Sequence, residues 1–263
     1  DKILPLVQRP SRYINHEINS HSADMDNDVS VCLCFPDIYE VGASNLGIEI
    51  LYHMVNEKKL ARCERAFAPD LDLEAILLKE NISLFSLESK SALNSFDIVG
   101  FSLQCELVGT NIVNMLSLSK IPVFSKDRKN NDPIIIGGGP AMANPEPFVD
   151  FFDLFVIGDG EEVLAKVINI YRACKKNNKL RNEILTQLVE LEGVYVPSFY
   201  EVKYNEDNTI KEIKPFNSKA PEVVKKTIVD LDKSFFHKHK IVPFVETVHN
   251  RLNIEIARGC IGR

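Results

Sequence analysis

Short apolar runs recur along the first two thirds of this chain, each closed by glycine or turn residues and followed by a segment of helical spacing. Residues 29–35 (VSVCLCF) form the first run, stopped by Pro36-Asp37. In 46–58, Ile48, Leu51, Tyr52 and Val55 fall on one face of a helix. Residues 71–79 read as a shorter helix started by Pro69-Asp70, and 82–85 as a short strand. Residues 97–102 (DIVGFS) predict the next buried strand, and 109–119 a helix with Ile112, Met115, Leu116 and Leu118 inward. Residues 133–136 predict a third strand ending in Gly137-Gly138-Gly139-Pro140. Residues 155–157 predict a fourth, ending in Gly158-Asp159-Gly160-Glu161-Glu162 and followed by a helix of about 15 residues. Strands alternating with helices imply a parallel sheet covered by helices on both faces.

From Val194 the pattern changes. Residues 194–197 and 199–204 read as strands, 205–208 as a turn and 210–214 as a returning hairpin strand. Residues 215–240 are polar and lysine-rich and read as a linker, while 241–248 and 252–257 read as further strands. The length, 263 residues, allows one large domain or two ordinary ones. With 45% hydrophobic and 26% charged residues, enough apolar surface exists to offset chain entropy, which excludes global disorder. Apolar runs fall far short of the ~18–20 residues a membrane span needs, so no membrane association is expected. Asp plus Glu outnumber Lys plus Arg, 37 to 31, which disfavours a broad basic surface for nucleic acid. Six cysteines, at 32, 34, 63, 105, 174 and 260, form no C-x-x-C pair, and no apolar leader opens the chain. A reducing cytoplasm is the expected setting. The chain begins with Asp and stops directly after an apparent strand, and so reads as part of a longer protein.

Ligands of open α/β sheets bind beyond the carboxyl ends of the strands, and three glycine- or turn-rich loops gather on that edge here. The first, Asp37-Ile38-Tyr39-Glu40-Val41-Gly42, has the spacing D-x-Y-x-x-G between a strand and a helix. Cys32 and Cys34 share one strand face and read as core thiols. His237, His239 and His249 fall in or near the polar stretch and read as solvated, with metal binding the alternative.

The D-x-Y-x-x-G loop resembles the D-x-H-x-x-G loop of cobalamin-binding domains, with Tyr39 where those domains carry the cobalt-ligating histidine. Ser102 ends its strand where they place a serine near the lower ligand tail, and Gly137-Gly138-Gly139-Pro140 stands where they carry a glycine loop against that tail. The stretch GGP, NPEP (144–147), DFFD (150–153) and VIGDGEE (156–162) is similar to radical SAM enzymes with an amino-terminal cobalamin-type domain. Residues 35–47 (FPDIYEVGASNLG) resemble an uncharacterised branch whose barrel is related to that of the Elongator catalytic subunit, and the likeness covers almost the whole chain.

The resemblance implies a Rossmann-like, flavodoxin-like doubly wound α/β sheet over 1–190, a hairpin and linker over 191–250, and over 251–263 the first strand of a truncated radical SAM barrel. Cofactor contacts are implied at Asp37, Tyr39, Gly42, Ser102, Gly137, Gly138, Gly139, Gly158, Asp159, Gly160 and Glu161. Cys260 is implied as the first ligand of a C-x-x-x-C-x-x-C set for a 4Fe–4S cluster. The full enzyme would cleave S-adenosylmethionine reductively to a 5′-deoxyadenosyl radical that attacks an unknown substrate. A flavodoxin or ferredoxin would donate electrons, and cobalamin, if bound, would not be His-ligated. This chain alone is expected inactive. Two other readings are a non-enzymatic cobalamin-binding or corrinoid-sensing module and a receiver-like signalling domain. The latter needs a phosphoacceptor Asp after the 97–102 strand, where Ser102 and Gln104 stand.

Overall fold

A computed structural model describes residues 2–23 and 27–259. Its centre is a six-stranded sheet in the order β2-β1-β3-β4-β5-β6. The strands are β1 (Ser30–Phe35), β2 (Arg62–Phe67), β3 (Ile98–Ser102), β4 (Ile134–Gly138), β5 (Leu154–Val156) and β6 (Val194–Tyr195). The first five run parallel and β6 pairs antiparallel with β5. This is the flavodoxin-like strand order, in which the chain reverses its direction of winding between β1 and β3. The helices are α1 (Tyr39–Gly42), α2 (Leu46–Glu57), α3 (Leu71–Lys79), α4 (Gly109–Leu118), α5 (Glu161–Lys176) and α6 (Arg181–Leu188). No helix among the described residues is long and apolar enough to cross a membrane.

Strand alternation divides the core. Val31, Leu33 and Phe35 point to the layer of α2, α5 and α6, while Cys32 and Cys34 point to the layer of α3 and α4. The two sulfurs lie 4.0 Å apart, fully buried, and burial pushes the Cys32 thiol up, so both are packing thiols. On α2, Ile48, Tyr52 and Val55 are buried as the spacing predicts, each worth about 1.5–3 kcal/mol of transfer. The α2 start is capped by Asn45 Oδ1, which accepts from Ile48 N at 3.0 Å, and the α3 start by Asp70. Ile112, Met115, Leu116 and Leu118 face inward on α4.

Several resemblance motifs turn out to be structural. Asp153, ending DFFD, accepts from Arg128 Nη1 at 3.0 Å, Arg181 Nη2 at 2.6 Å and Ile135 N at 2.7 Å, fastening the start of β5 to its neighbours. Glu146 of NPEP accepts from the Tyr195 hydroxyl at 2.9 Å, tying that loop to β6.

The sheet differs from the sequence expectation in three places. Strand β2, RCERAF, carries no strand-like apolar run, yet Glu64 and Arg65 are buried in it. Residues 82–85 make only the single bridge Phe85–Ala92. Residues 241–248 and 252–257 form no strand: among the described residues they make only the isolated bridge of Val242 to Ile18, and Leu252, Ile254 and Ile256 stay exposed. The predicted hairpin is present as β7 (Tyr200–Tyr204) and β8 (Ile210–Pro215). After it the chain returns as an irregular strap. Thr227 N donates to Ile157 O at 2.9 Å, Val242 N to Ile18 O at 3.0 Å and Val248 N to Glu40 O at 3.2 Å.

Candidate functional site

A cavity of about 310 Å³ opens at the carboxyl edge of the sheet, on the α2 and α5 face. Its floor is Val31 and Leu33 of β1, Ile98 and Gly100 of β3, Ile136 of β4 and Val156 of β5. Ile48, Leu51 and Leu164 form the helical wall. The slot therefore sits at the β1/β3 reversal point, where two crossovers leave the sheet in opposite directions and cannot cover its edge. Gly100 deepens it, since a Cβ there would reach 3.3 Å from Leu33. Among the described residues lining the slot there is no histidine or cysteine.

Of the residues singled out in the sequence, Ser102, Gly138, Gly139, Gly158, Asp159, Gly160 and Glu161 line this cavity. The Ser102 hydroxyl accepts from Gln104 Nε2 at 2.8 Å on the rim. The glycines divide by cause. Gly139 and Gly158 have φ of +111° and +107°, and a Cβ would come 2.5 Å from Leu103 O and 2.2 Å from Thr227 O. Gly137 would meet Phe155 at 2.6 Å and Gly42 would meet Phe67 at 2.4 Å. These four are required by backbone conformation or packing. Gly138 and Gly160 are not: a Cβ on Gly138 would meet no atom within 4 Å, and one on Gly160 only Leu51 at 3.8 Å.

Asp37, Tyr39, Gly42 and Gly137 do not line the slot. Asp37 closes its own turn, its Oδ1 accepting from Ile38 N at 2.7 Å. Tyr39 is 2% exposed, packs edge-on against Phe67 with centroids 5.2 Å apart, and donates its hydroxyl to Glu17. Burial, and then the Glu17 carboxylate, push the phenol well above its usual range, so it stays neutral. Tyr39→Phe is accordingly expected to cost about 1.5–3 kcal/mol, the worth of a hydrogen bond to a charged group. Chemical denaturation measures that loss, and ligand affinity is expected to stay unchanged; a variant of parent stability that loses ligand instead would put the phenol in the binding site.

The mouth is closed by residues that motif reading missed. Arg258 donates through Nε to Glu255 Oε1 at 2.7 Å, pairs with Asp159 Oδ1 at 3.3 Å, and bonds Glu161. The hydrogen bonds it donates to Glu255 and Glu161 hold the guanidinium firmly protonated. Asp159 is set from the other side, its Oδ2 accepting from Val229 N at 2.9 Å. Thus the acidic turn opening α5 grips the segment two residues before Cys260. Cys260 itself lies outside the described residues.

A doubly wound sheet with an open slot at its reversal point, roofed by a strap from the following segment, defines a Rossmann-like α/β domain. Residues 47–197, more than half of the chain, match the family of radical SAM proteins, N-terminal, and the chain belongs to that family. An uncharacterized protein of Methanocaldococcus jannaschii is 26% identical over 191 residues, which is 71% of this chain and 32% of that protein. The chain thus spans about a third of that relative's length. A solved structure of the radical S-adenosylmethionine methyltransferase TsrM from Kitasatospora setae, with cobalamin and a 4Fe–4S cluster bound, aligns with a TM-score of 0.40 at 12% identity, covering 81% of this chain and 31% of that one.

Proposed function

We propose that this chain is the cobalamin-domain-like, amino-terminal part of a radical SAM enzyme of the Elongator-related branch, and that its slot takes the tail of a corrinoid. The supporting observation is the open space in front of Gly138 and Gly160, in a slot that the protein's own side chains leave unfilled. The residues fit such a group. An apolar floor and wall suit a flat heterocycle, and the Ser102 hydroxyl and Asp159 carboxylate on the rim suit its polar substituents. Gly138 and Gly160 permit close backbone approach, Leu51 and Leu164 exclude water, and the Arg258 cluster covers the mouth. No imidazole lines the slot among the described residues, which favours a corrinoid held without a histidine on cobalt.

On this reading 1–190 is the binding domain, 191–250 the hairpin and strap, and 251–263 the approach to a barrel. Strand β6 carries the sheet itself slightly past residue 190. Cys260 begins the cluster-ligand set, and the remainder of the protein binds S-adenosylmethionine. The cluster, when bound, supplies the electron that cleaves S-adenosylmethionine; an external flavodoxin or ferredoxin recharges it. This chain's residues bind and orient the corrinoid and hold 255–258 in place.

The test uses the full-length protein, purified without oxygen, incubated with hydroxocobalamin and freed of excess by gel filtration. Near-stoichiometric retention is expected, with an electron paramagnetic resonance spectrum of the cobalt(II) form that lacks splitting from a protein nitrogen. Protein that elutes colourless retires the corrinoid reading, and a protein-nitrogen splitting proved by isotopic labelling retires the unligated form.

A further inference from the structure

Toward the C-terminal end of α2, three metal-binding side chains converge. His53 and Glu57 stand one turn apart on α2 and so project from the same face. His21 comes from the N-terminal segment, anchored by its backbone N–H donating to the Tyr52 hydroxyl at 2.8 Å. His21 Nε2 lies 2.9 Å from His53 Nδ1, and His53 Nδ1 lies 3.6 Å from Glu57 Oε1. One donor atom from each of the three falls within 4.8 Å of the others. Ligands about 2.0–2.2 Å from a tetrahedral ion sit roughly 3.3–3.5 Å apart, so small side-chain adjustments place all three on one cation.

We propose that His21, His53 and Glu57 form a divalent transition-metal site of the zinc class, which fastens the N-terminal segment to α2. Two observations point beyond chance proximity. His53 is 1% exposed, and its Nε2 has no partner, so its contact with His21 is the one hydrogen bond recorded for this buried ring among the described residues. A buried imidazole so little compensated is costly, and a metal on Nδ1, the ring atom turned toward His21 and Glu57, would replace its single contact with a coordinate bond while leaving Nε2 as it is. The site is also walled. His237 stacks on His53 with ring centroids 4.9 Å apart and planes 8° from parallel, and Tyr52 covers its edge.

The donor set favours zinc over magnesium or calcium, which take oxygen ligands. Two imidazoles and a carboxylate leave a fourth position, and Glu57, 40% exposed, stands on its solvent side. Arg65 is the cation that opposes the ion; its charge is met by Glu17 and Glu88. A metal here would brace the same segment that delivers Glu17 to the interior.

The experiment is titration of the chelator-stripped full chain with Co²⁺, followed by absorption, then displacement by Zn²⁺. One Co²⁺ per chain is expected, with visible ligand-field bands of a nitrogen–oxygen site and no thiolate charge-transfer band. Thermal unfolding should shift upward when Zn²⁺ is added. Glu57→Gln, at the exposed end of α2 where folding is not at stake, should weaken binding by at least about tenfold, since losing even an outer partner costs about 10–100-fold. His21→Ala should weaken it at least as much. Absence of saturable Co²⁺ binding overturns the proposal, as does binding that survives both substitutions or carries thiolate bands.

Discussion

Arg65→Met is expected to cost about 3–5 kcal/mol of stability, the penalty for leaving buried charges without their partner. In a chain of this size that is a fall of roughly 6–20 °C in the unfolding midpoint. Arg65 is 3% exposed on the edge strand β2. Its Nε donates to Glu88 Oε1 at 2.7 Å, its own backbone N–H donates to Glu88 Oε2 at 2.6 Å, and its Nη2 bonds Glu17. The guanidinium also lies 4.8 Å from the centre of the Tyr52 ring. Glu17 is 3% and Glu88 6% exposed, so methionine in place of arginine strands two carboxylates in a dry pocket. Burial already pushes the Glu88 carboxyl up, and the attraction of Arg65 opposes that shift. The triple variant Arg65→Met, Glu17→Gln, Glu88→Gln removes all three charges and is expected to recover most of the loss. A single variant within a degree of the parent, or a triple variant no better than the single, would show that the cluster does not hold the N-terminal segment.

That cluster also explains which parts of the fold the sequence revealed. β1, β3, β4 and β5 were legible because strands covered on both faces must be apolar throughout, and their loops carry the turn residues that end them. β2 was hidden because its two central residues are charged. Nothing in RCERAF announces that Glu17 and Glu88, respectively 48 and 23 residues distant along the chain, will neutralise Arg65 inside the protein. The same distance effect turned Tyr39 away from the slot: its loop has the spacing of a binding loop, but Glu17 takes its hydroxyl. His237 lies in a lysine-rich stretch that reads as solvated, yet it is 4% exposed because the strap lays it on His53. The apolar alternation of 241–248 and 252–257 describes residues able to pair, and pairing needs a neighbouring strand. Gly100 could have been found, since glycine inside the apolar run DIVGFS signals close approach of something other than a side chain. Asn45, Glu255 and Arg258 could not, because they reach the slot only through the three-dimensional path of α2 and the strap.

Gly138→Val is expected to abolish corrinoid retention while leaving the fold intact, and so separates binding from folding. Gly138 closes β4 with an ordinary extended backbone, which a β-branched residue adopts readily. Its Cβ position is empty to 4 Å, so the new methyl groups meet the slot rather than protein atoms. The unfolding midpoint should stay near that of the parent, because replacing glycine where its conformation is ordinary reduces the entropy of the unfolded chain. The ligand is affected differently. On the corrinoid reading, methyl groups standing in a slot of about 310 Å³ would exclude a ring that lies flat against the backbone. A clash of that kind costs about 1–3 kcal/mol when packing can adjust, which is about 5–150-fold in affinity, and more when the wall is a β-strand that cannot yield. Gly158→Val is the contrasting control. At φ +107°, with Thr227 O 2.2 Å from the Cβ position, it should lose the strap and the fold together, seen as early melting and rapid proteolysis after residue 215. If Gly138→Val melts like the parent and still carries its corrinoid through gel filtration, the slot is not where the ligand binds. If it melts early, the space before Gly138 is filled in solution by the protein itself, and the slot does not exist in the form that the corrinoid reading requires.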